Sequence, residues 1–228
     1  MHDPVGIELA CLDLAGTTVA DDGAVERAFR TAIAGFDVDV DAAVDHVRAT
    51  MGMSKIVVFR DLLADEARAQ EANRRFEAAY ASVVAGGGVA ALPGAAEAIA
   101  ALRAAGVKVC LTTGFSASTR DAVLDAVGWR DTIDLALTPE ESAGGRGRPH
   151  PDMILTAVLR LGVTDVRAVA VGGDTASDLW AGWHAGASVV AGVLTGAHDR
   201  ATLSAAPHTH LLDSVAALPA LVVAPDID

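Results

Sequence analysis

The stretch IELACLDLAGTT, residues 7–18, decides the fold of this chain. Its first seven residues form a short apolar run that ends on Asp13, and a turn-like segment containing Gly16 follows at once. An apolar run of this length with an abrupt glycine stop is typical of a buried strand. The stretch therefore predicts a core strand that carries an aspartate at its carboxyl end.

The second half of the chain alternates between apolar runs and helical patterns. Strand-like runs recur at 107–112, 135–137, 168–172 and 188–193, and helical patterns lie between them. This alternation indicates βαβ units with helices on both faces of a parallel sheet. We therefore predict an α/β fold with a doubly wound parallel sheet.

Residues 21–88 have a different character, because charges recur there at helical spacing and strand-like runs are absent. We predict four helices in this part, near 23–34, 40–50, 54–64 and 65–84. The chain is accordingly expected to have an α/β core, residues 1–20 and 89–228, with an inserted α-helical cap, residues 21–88.

Composition excludes several classes of function. The 228 residues include 17 basic and 30 acidic ones, a net charge of −13, which argues against a nucleic-acid surface. The two charge-free stretches, 78–96 and 179–198, contain several glycines and do not resemble membrane spans. Cys11 and Cys110 lie inside apolar runs, which predicts buried free thiols. With no signal-peptide pattern at the first residues, we expect a cytoplasmic protein without nucleic-acid or membrane partners.

Polar residues end the predicted strands, where open parallel sheets bind their ligands. Asp13 ends the first run, Thr113 follows the second, and Asp174 and Asp178 follow the run before residue 173. Arg148 adds a cation from a loop. Carboxylates can hold Mg²⁺ or act as a nucleophile, and arginine and hydroxyl groups bind anionic oxygens. This set of residues suits Mg²⁺-assisted phosphoryl transfer.

Four ordered motifs resemble those of the haloacid dehalogenase superfamily. They are DLAGTT at 13–18, LTTG at 111–114, GRP at 147–149 and GDTASD at 173–178. They span nearly the whole chain, and the helical insertion lies where the capped subclass carries its cap. The resemblance implies a hydrolase with a Rossmann-like core.

The resemblance also implies roles for residues in the first and fourth motifs. Asp13 would attack phosphorus and form an aspartyl-phosphate. Mg²⁺ would be held by Asp13, the carbonyl of Ala15 and Asp174, with water completing the coordination shell.

The remaining motif residues would bind the phosphoryl group. Thr113 and the amide of Gly114 would bind phosphoryl oxygens, and Arg148 would neutralise their charge. Asp178 would position either Arg148 or a metal-bound water. The expected partner is therefore a small phosphorylated or phosphonate substrate.

The residue at position 15 indicates which branch of the superfamily the chain resembles. Most phosphatases of the superfamily carry an acid–base aspartate two residues after the nucleophile, where this chain has Ala15. The motif DxAGTT is similar to that of the phosphonatase branch, whose members hydrolyse phosphonoacetaldehyde after a cap lysine forms an imine. The segment MGMSKI, residues 51–56, resembles the cap segment of that branch and puts Lys55 in place of this lysine. The alternative is that Lys55 is a surface lysine on a cap helix.

Three positions depart from the phosphonatase pattern. Val58 stands where that branch has a histidine, Phe115 where it has a tyrosine, and Gly23 where it has a cysteine. A phosphatase acting on a small phosphomonoester such as phosphoglycolate, and a binding module without activity, remain alternatives. Dehalogenase chemistry is a further alternative, but it uses no metal, and the acidic pair Asp174 and Asp178 argues against it.

Assembly has two interpretations. The phosphonatases that this chain resembles pair through their caps, which implies a homodimer. An apolar stripe with Phe29 and Ile33 on the first cap helix would suit such a face, but it would equally suit packing inside the cap.

Overall fold

The computed structural model describes residues 6–223, and its centre is a six-stranded parallel sheet. The strands are β1 (Leu9–Asp13), β2 (Lys108–Thr112), β3 (Leu135–Leu137), β4 (Val169–Gly173), β5 (Val189–Val193) and β6 (His210–Leu212). Their spatial order is β3-β2-β1-β4-β5-β6, and every neighbouring pair is parallel. The predicted α/β class with a doubly wound sheet is thus confirmed.

Helices connect the strands and fill the long insertion after β1. In residues 6–223 the α-helices are α1 (Ala24–Ile33), α2 (Val40–Ala49), α3 (Lys55–Leu63), α4 (Glu66–Ala85), α5 (Ala95–Ala104), α6 (Ala117–Val127), α7 (Asp152–Leu161), α8 (Ala176–Ala185), α9 (Arg200–Ser204) and α10 (Pro219–Val222). Aspartates start two of the inserted helices, because the Asp39 and Asp65 side chains accept hydrogen bonds from backbone amides of the first turn.

Strand β1 places the first motif at the centre of the sheet. All five of its residues are buried, as expected of a parallel strand with both faces covered. Asp13 lies beside Thr112 of β2, and Leu12 lies beside Gly172 of β4. The strand order reverses between β1 and β4, which is where open α/β sheets bind ligands. Asp13 therefore ends β1 at the switch point.

Helices α1–α4 have an aromatic core of their own. The rings of Phe29 and Phe59 stack with centroids 5.1 Å apart, and Phe76 and Tyr80 follow at 6.0 Å. Phe29 and Ile33 are each only 1% exposed. The apolar stripe of α1 therefore packs inside the chain, as the second interpretation of that stripe expects, and is not available to a partner subunit.

Two backbone connections join α1–α4 to the sheet, and they run side by side. The amide of Ala20 donates to the carbonyl of Ala90 at 2.8 Å, and the amide of Leu92 donates to that of Thr18 at 2.9 Å. We propose that this pair of connections marks the boundary between an α/β core and a cap, residues 21–88. The predicted outer ends of the core, residues 1–5 and 224–228, lie outside the described residues.

The predicted strand at 168–172 is shifted by one residue, since β4 spans Val169–Gly173. Helix α9, strand β6 and helix α10 were not expected, because each has only three to five residues and shows no clear periodicity. All three lie beyond β5 and away from the predicted site residues in sequence.

Two predictions from the composition, on the cysteines and on membrane-spanning helices, can be compared with the structure. Cys11 and Cys110 are buried and free, on neighbouring strands, as predicted. Between residues 6 and 223, every helix is too short or too polar to cross a lipid bilayer.

Candidate active site

A cavity of about 390 Å³ lies between the carboxyl ends of the strands and the cap helices. Its lining includes all but one of the predicted site residues: Asp13, Ala15, Lys55, Thr113, Gly114, Arg148 and Asp174. The exception, Asp178, contacts Arg148 from outside the cavity. Residues that are up to 165 positions apart in the chain are thus brought together at one site.

Arg148 joins two aspartates at the bottom of this cavity. Its Nη1 donates to Oδ1 of Asp13 and to Oδ1 of Asp178, and all three side chains are buried. Burial raises the pKa of Asp13 well above its ordinary value, Arg148 opposes this, and the charges of Asp178 and Asp174 add to it. The Nε of Arg148 is buried without a hydrogen-bond partner among the described residues, so it is able to donate to a bound anion.

Asp174 is held by donors from two loops. Its Oδ1 accepts a hydrogen bond from Oγ1 of Thr17 at 3.0 Å, and its Oδ2 accepts one from the amide of Ala197 at 2.7 Å. Burial, followed by the charge of Asp178, raises the pKa of Asp174 to about 6. These contacts fix the direction of the carboxylate before any ligand arrives.

The buried carboxylates Asp13, Asp174 and Asp178 form a set that fits a divalent cation. One oxygen of each lies within 4.8 Å of the others. Arg148 supplies a single positive charge to these three acids, and buried charges without compensation are costly. Hard oxygen ligands of this kind suit Mg²⁺. The residues present therefore match the metal that the motifs implied.

The loop after β2 presents a hydroxyl and a backbone amide to the cavity. Oγ1 of Thr113 accepts a hydrogen bond from the amide of Phe115 at 3.2 Å, which leaves its own proton free to donate. Gly114 allows the cap to approach closely, because a Cβ there would lie 2.5 Å from the carbonyl oxygen of Met53. The amide of Lys55 donates to the carbonyl of Gly114 at 3.4 Å. The loop after β2 and the lysine segment are therefore in direct contact.

Lys55 begins helix α3 and points into the cavity rather than into solvent. The residue is 8% exposed, and its Nζ lies 6.0 Å and 5.9 Å from the ring centroids of Phe76 and Phe115. Throughout residues 6–223, no carboxylate lies within ion-pair distance of this ammonium. Burial, assisted by the charge of Arg148, lowers the pKa of Lys55 to about 8. The alternative of a surface lysine is wrong.

The three positions that depart from the phosphonatase pattern lie around Lys55. Val58 and Phe115 are buried, and Gly23 lines the cavity. None of these side chains can donate or accept a proton. Any acid–base group near Lys55 must come from elsewhere in the chain.

Two polar residues near the site were missed by the sequence reasoning. Asp21 lines the cavity, and Tyr80 is fully buried with its ring centroid 4.6 Å from that of Phe115. The hydroxyl of Tyr80 has no hydrogen-bond partner in the described part of the chain. For Asp21 there was a signal, because an acid three residues after the first motif lies near the end of β1. For Tyr80 there was none, because its position depends on the packing of α4.

Comparison with known proteins agrees with this geometry. Residues 7–186 match the family of haloacid dehalogenase-like hydrolases. The probable phosphatase IndB of Dickeya dadantii is 31% identical over 212 residues, which cover 90% of this chain and 89% of that protein. The phosphonoacetaldehyde hydrolase of Bacteroides fragilis is 33% identical over 223 residues, covering 89% and 81%. The crystal structure of a phosphonoacetaldehyde hydrolase-like protein from Oleispira antarctica has a TM-score of 0.83 and 24% identity, covering 96% and 92%. The chain therefore belongs to the haloacid dehalogenase-like hydrolase family.

Proposed function

We propose that this hydrolase cleaves the C–P bond of a small aldehyde phosphonate of the phosphonoacetaldehyde type. Asp13 is the nucleophile and Lys55 forms an imine with the substrate. The observation that carries the proposal is the buried amine of Lys55, which lines the same cavity as Asp13 and has no ion pair within residues 6–223. The relative named phosphonoacetaldehyde hydrolase supports the same substrate class.

Lys55 acts first. An ammonium cannot add to a carbonyl, whereas a neutral amine can, and the lowered pKa of Lys55 makes the neutral form available near pH 8. The amine forms a C–N bond with the aldehyde carbon, and the carbonyl oxygen leaves as water. The resulting imine can accept an electron pair from the neighbouring carbon.

Asp13 then attacks phosphorus, forming an O–P bond while the C–P bond breaks. The electron pair of the C–P bond passes to carbon and is delocalised onto the imine nitrogen. Protonation of that carbon and hydrolysis of the imine release the aldehyde and Lys55, and water cleaves the aspartyl-phosphate to release phosphate. Since the imine takes up the electron pair, this route needs no acid at Ala15.

The other residues of the site bind and orient the phosphoryl group. We propose that Mg²⁺ is bound by Asp13, the carbonyl of Ala15 and Asp174, where it would screen the charge between carboxylate and phosphoryl oxygens. The hydroxyl of Thr113 and the amide of Gly114 bind phosphoryl oxygens.

Arg148 neutralises the remaining phosphoryl charge, and its contact with Asp178 keeps the guanidinium in place. Such donors are fixed before the substrate binds, so they need little rearrangement during the reaction.

A second candidate function is hydrolysis of a small phosphomonoester such as phosphoglycolate. The relative named probable phosphatase IndB favours it. In that case Lys55 would only attract the anionic substrate, and a cap residue would have to protonate the leaving group in place of an acid at Ala15.

Replacement of Lys55 separates the two candidates. Lys55→Arg keeps the positive charge but removes the nucleophile, because a guanidinium stays protonated. We expect kcat on phosphonoacetaldehyde to fall by several orders of magnitude. The matched control is Lys108→Arg, since Lys108 is the only other lysine and its Nζ donates to the carbonyl of Leu161. A kcat of Lys55→Arg within about tenfold of wild type would reject the imine and leave the phosphatase candidate standing.

A further inference from the structure

The cavity holds more carboxylates than phosphoryl transfer needs. Five acids line it: Asp13, Asp21, Asp22, Glu26 and Asp174. Imine formation requires a group that moves protons between the lysine nitrogen and the carbonyl oxygen, and the residues at positions 23, 58 and 115 cannot do this. The five carboxylates are therefore the candidates for this proton transfer, and they differ in the partners that they contact.

The two acids on the core side have other partners. Asp13 contacts Arg148, and Asp174 accepts hydrogen bonds from Thr17 and from the amide of Ala197. Both also belong to the proposed nucleophile and metal site. The residue that carries protons for Lys55 should be neither the nucleophile nor a metal ligand.

The three acids on the cap side differ from one another. Glu26 is paired with the guanidinium groups of Arg30 and Arg48, with Nε–Oε distances of 3.1 Å and 3.0 Å. Asp22 is exposed to solvent. Asp21 is half-buried, and no ion pair to it lies within 4 Å in the described residues. Of the cavity acids, Asp21 therefore combines partial burial with the absence of a cationic partner.

The surroundings of Asp21 suit an acid–base group. Its Oδ1 accepts a hydrogen bond from the amide of Val25 at 3.1 Å, which fixes the side chain at the start of α1. Burial raises the pKa of Asp21, and the nearby charge of Lys55 opposes this only in part. Asp21 and Lys55 line the same cavity, and within residues 6–223 no ion pair shorter than 4 Å joins them.

We infer that Asp21 is the acid–base residue that serves Lys55 during imine formation, an inference that rests on the function proposed above. When the neutral amine adds to the carbonyl carbon, the carboxylate of Asp21 takes a proton from the nitrogen and passes it to the carbonyl oxygen, which becomes a hydroxyl group. The carboxylate then takes the remaining proton from the nitrogen and passes it to that hydroxyl group. The C–O bond breaks, water leaves as the nitrogen electron pair forms the C=N bond, and Asp21 is returned as the carboxylate.

Asp21→Asn removes this function with little change in structure. Asparagine also accepts hydrogen bonds from helix-starting amides, so the start of α1 should be kept. An amide, however, cannot carry the proton. Asp39→Asn is the matched control, because Asp39 accepts hydrogen bonds from the amides of Asp41 and Ala42 at the exposed start of α2.

The test measures the rate at which sodium borohydride traps phosphonoacetaldehyde on the full chain, followed by mass spectrometry of intact protein. Wild type and Asp39→Asn should label at the same rate, and Asp21→Asn should label about 10²–10⁴-fold more slowly. In Asp21→Ala, added formate should restore part of the rate, which a purely structural role of Asp21 would not allow.

Three outcomes would decide the matter. Labelling of Asp21→Asn at the wild-type rate would overturn the inference and leave the proposed function intact. Failure of formate to raise the rate of Asp21→Ala would also count against it. Absence of labelling in wild type would reject the proposed function, and the inference with it.

Discussion

The carboxyl edge of the sheet and the cap helices face the same cavity, but the aspartates of the sheet edge and the lysine of the cap have different surroundings. On the sheet side, Asp13 and Asp174 each have protein partners, Arg148 for the first and Thr17 for the second. On the cap side, Lys55 has no ion pair in the described residues, and its Nζ lies about 6 Å from the ring centroids of Phe76 and Phe115.

This difference separates two tasks. A network of fixed donors and carboxylates suits a group that is the same in every substrate, here the phosphoryl group. Burial lowers the pKa of an amine, and in the function proposed above this amine reacts with the variable part of the substrate. We therefore propose that the sheet edge binds the phosphoryl group and that the cap selects the substrate.

The largest expected effect comes from Asp13→Asn. Turnover of any phosphonate or phosphomonoester should fall by about 10⁴-fold or more, as when other enzymes lose a catalytic nucleophile. Trapping of aldehyde on Lys55 should persist, because it depends on the cap side. Asp41→Asn, an exposed acid on α2, is the control. If Asp13→Asn also abolished trapping in a folded protein, the two regions would not act separately.

The pH dependence of kcat/KM tests the burial of Lys55 on the cap side. Because burial lowers the pKa of Lys55 to about 8, the neutral amine becomes abundant as the pH rises through that value. Below pH 8, kcat/KM on phosphonoacetaldehyde should fall by about tenfold per pH unit as Lys55 becomes protonated, and above it the profile should level off. A profile that still rises towards pH 10, as for an ordinary lysine, would contradict the burial argument.

A smaller effect on kcat/KM is expected from a substitution at Gly114, where the loop after β2 contacts the cap. In Gly114→Ala the new Cβ would lie 2.5 Å from the carbonyl oxygen of Met53, so the loop before Lys55 must move away. We expect kcat/KM to fall by about 10- to 100-fold, the size of effect that small misplacements produce. Gly6→Ala is the control, since nothing lies within 4 Å of its Cβ position. Equal kcat/KM values for the two variants would show that close docking of this loop is not needed.

The smallest effect concerns stability. The carboxylate of Glu77 on α4 accepts hydrogen bonds from the hydroxyls of Ser116 and Thr119 at the start of α6, which links cap to core. Glu77→Ala should lower the free energy of unfolding by about 1–3 kcal/mol, measured by urea denaturation. Glu71→Ala, which removes two exposed ion pairs within α4, should change this free energy by less than about 0.5 kcal/mol. Equal losses would mean that the Glu77 contact contributes no more than a surface pair.

The sheet and its acidic edge could be predicted from the sequence for a simple physical reason. A parallel strand is a short apolar run, and a polar residue that ends it must lie at the carboxyl edge. Asp13, Thr113 and Asp174 all follow such runs, and the structure brings them together at one cavity. Lys55, which the segment MGMSKI singled out, is buried and lines the same cavity.

The rest of the site depends on packing that no local pattern specifies. Tyr80 lies near Phe115 only because α4 crosses the loop after β2, and helical periodicity does not indicate that direction. The closeness of Asp21 to the first motif puts it near the end of β1, but its lining of the cavity also depends on how α1 packs. The short elements α9 and β6 were missed because a few residues carry too little periodicity.

The most direct test of the account is to find where the substrate aldehyde becomes attached. Wild-type protein is mixed with phosphonoacetaldehyde and sodium borohydride, digested and mapped by mass spectrometry. Because the chain has only Lys55 and Lys108, the two lysine-containing peptides are compared in one experiment. The account predicts a reduced adduct on Lys55, none on Lys108, and loss of activity in proportion to labelling. An unmodified Lys55, or equal labelling of both lysines, would contradict it.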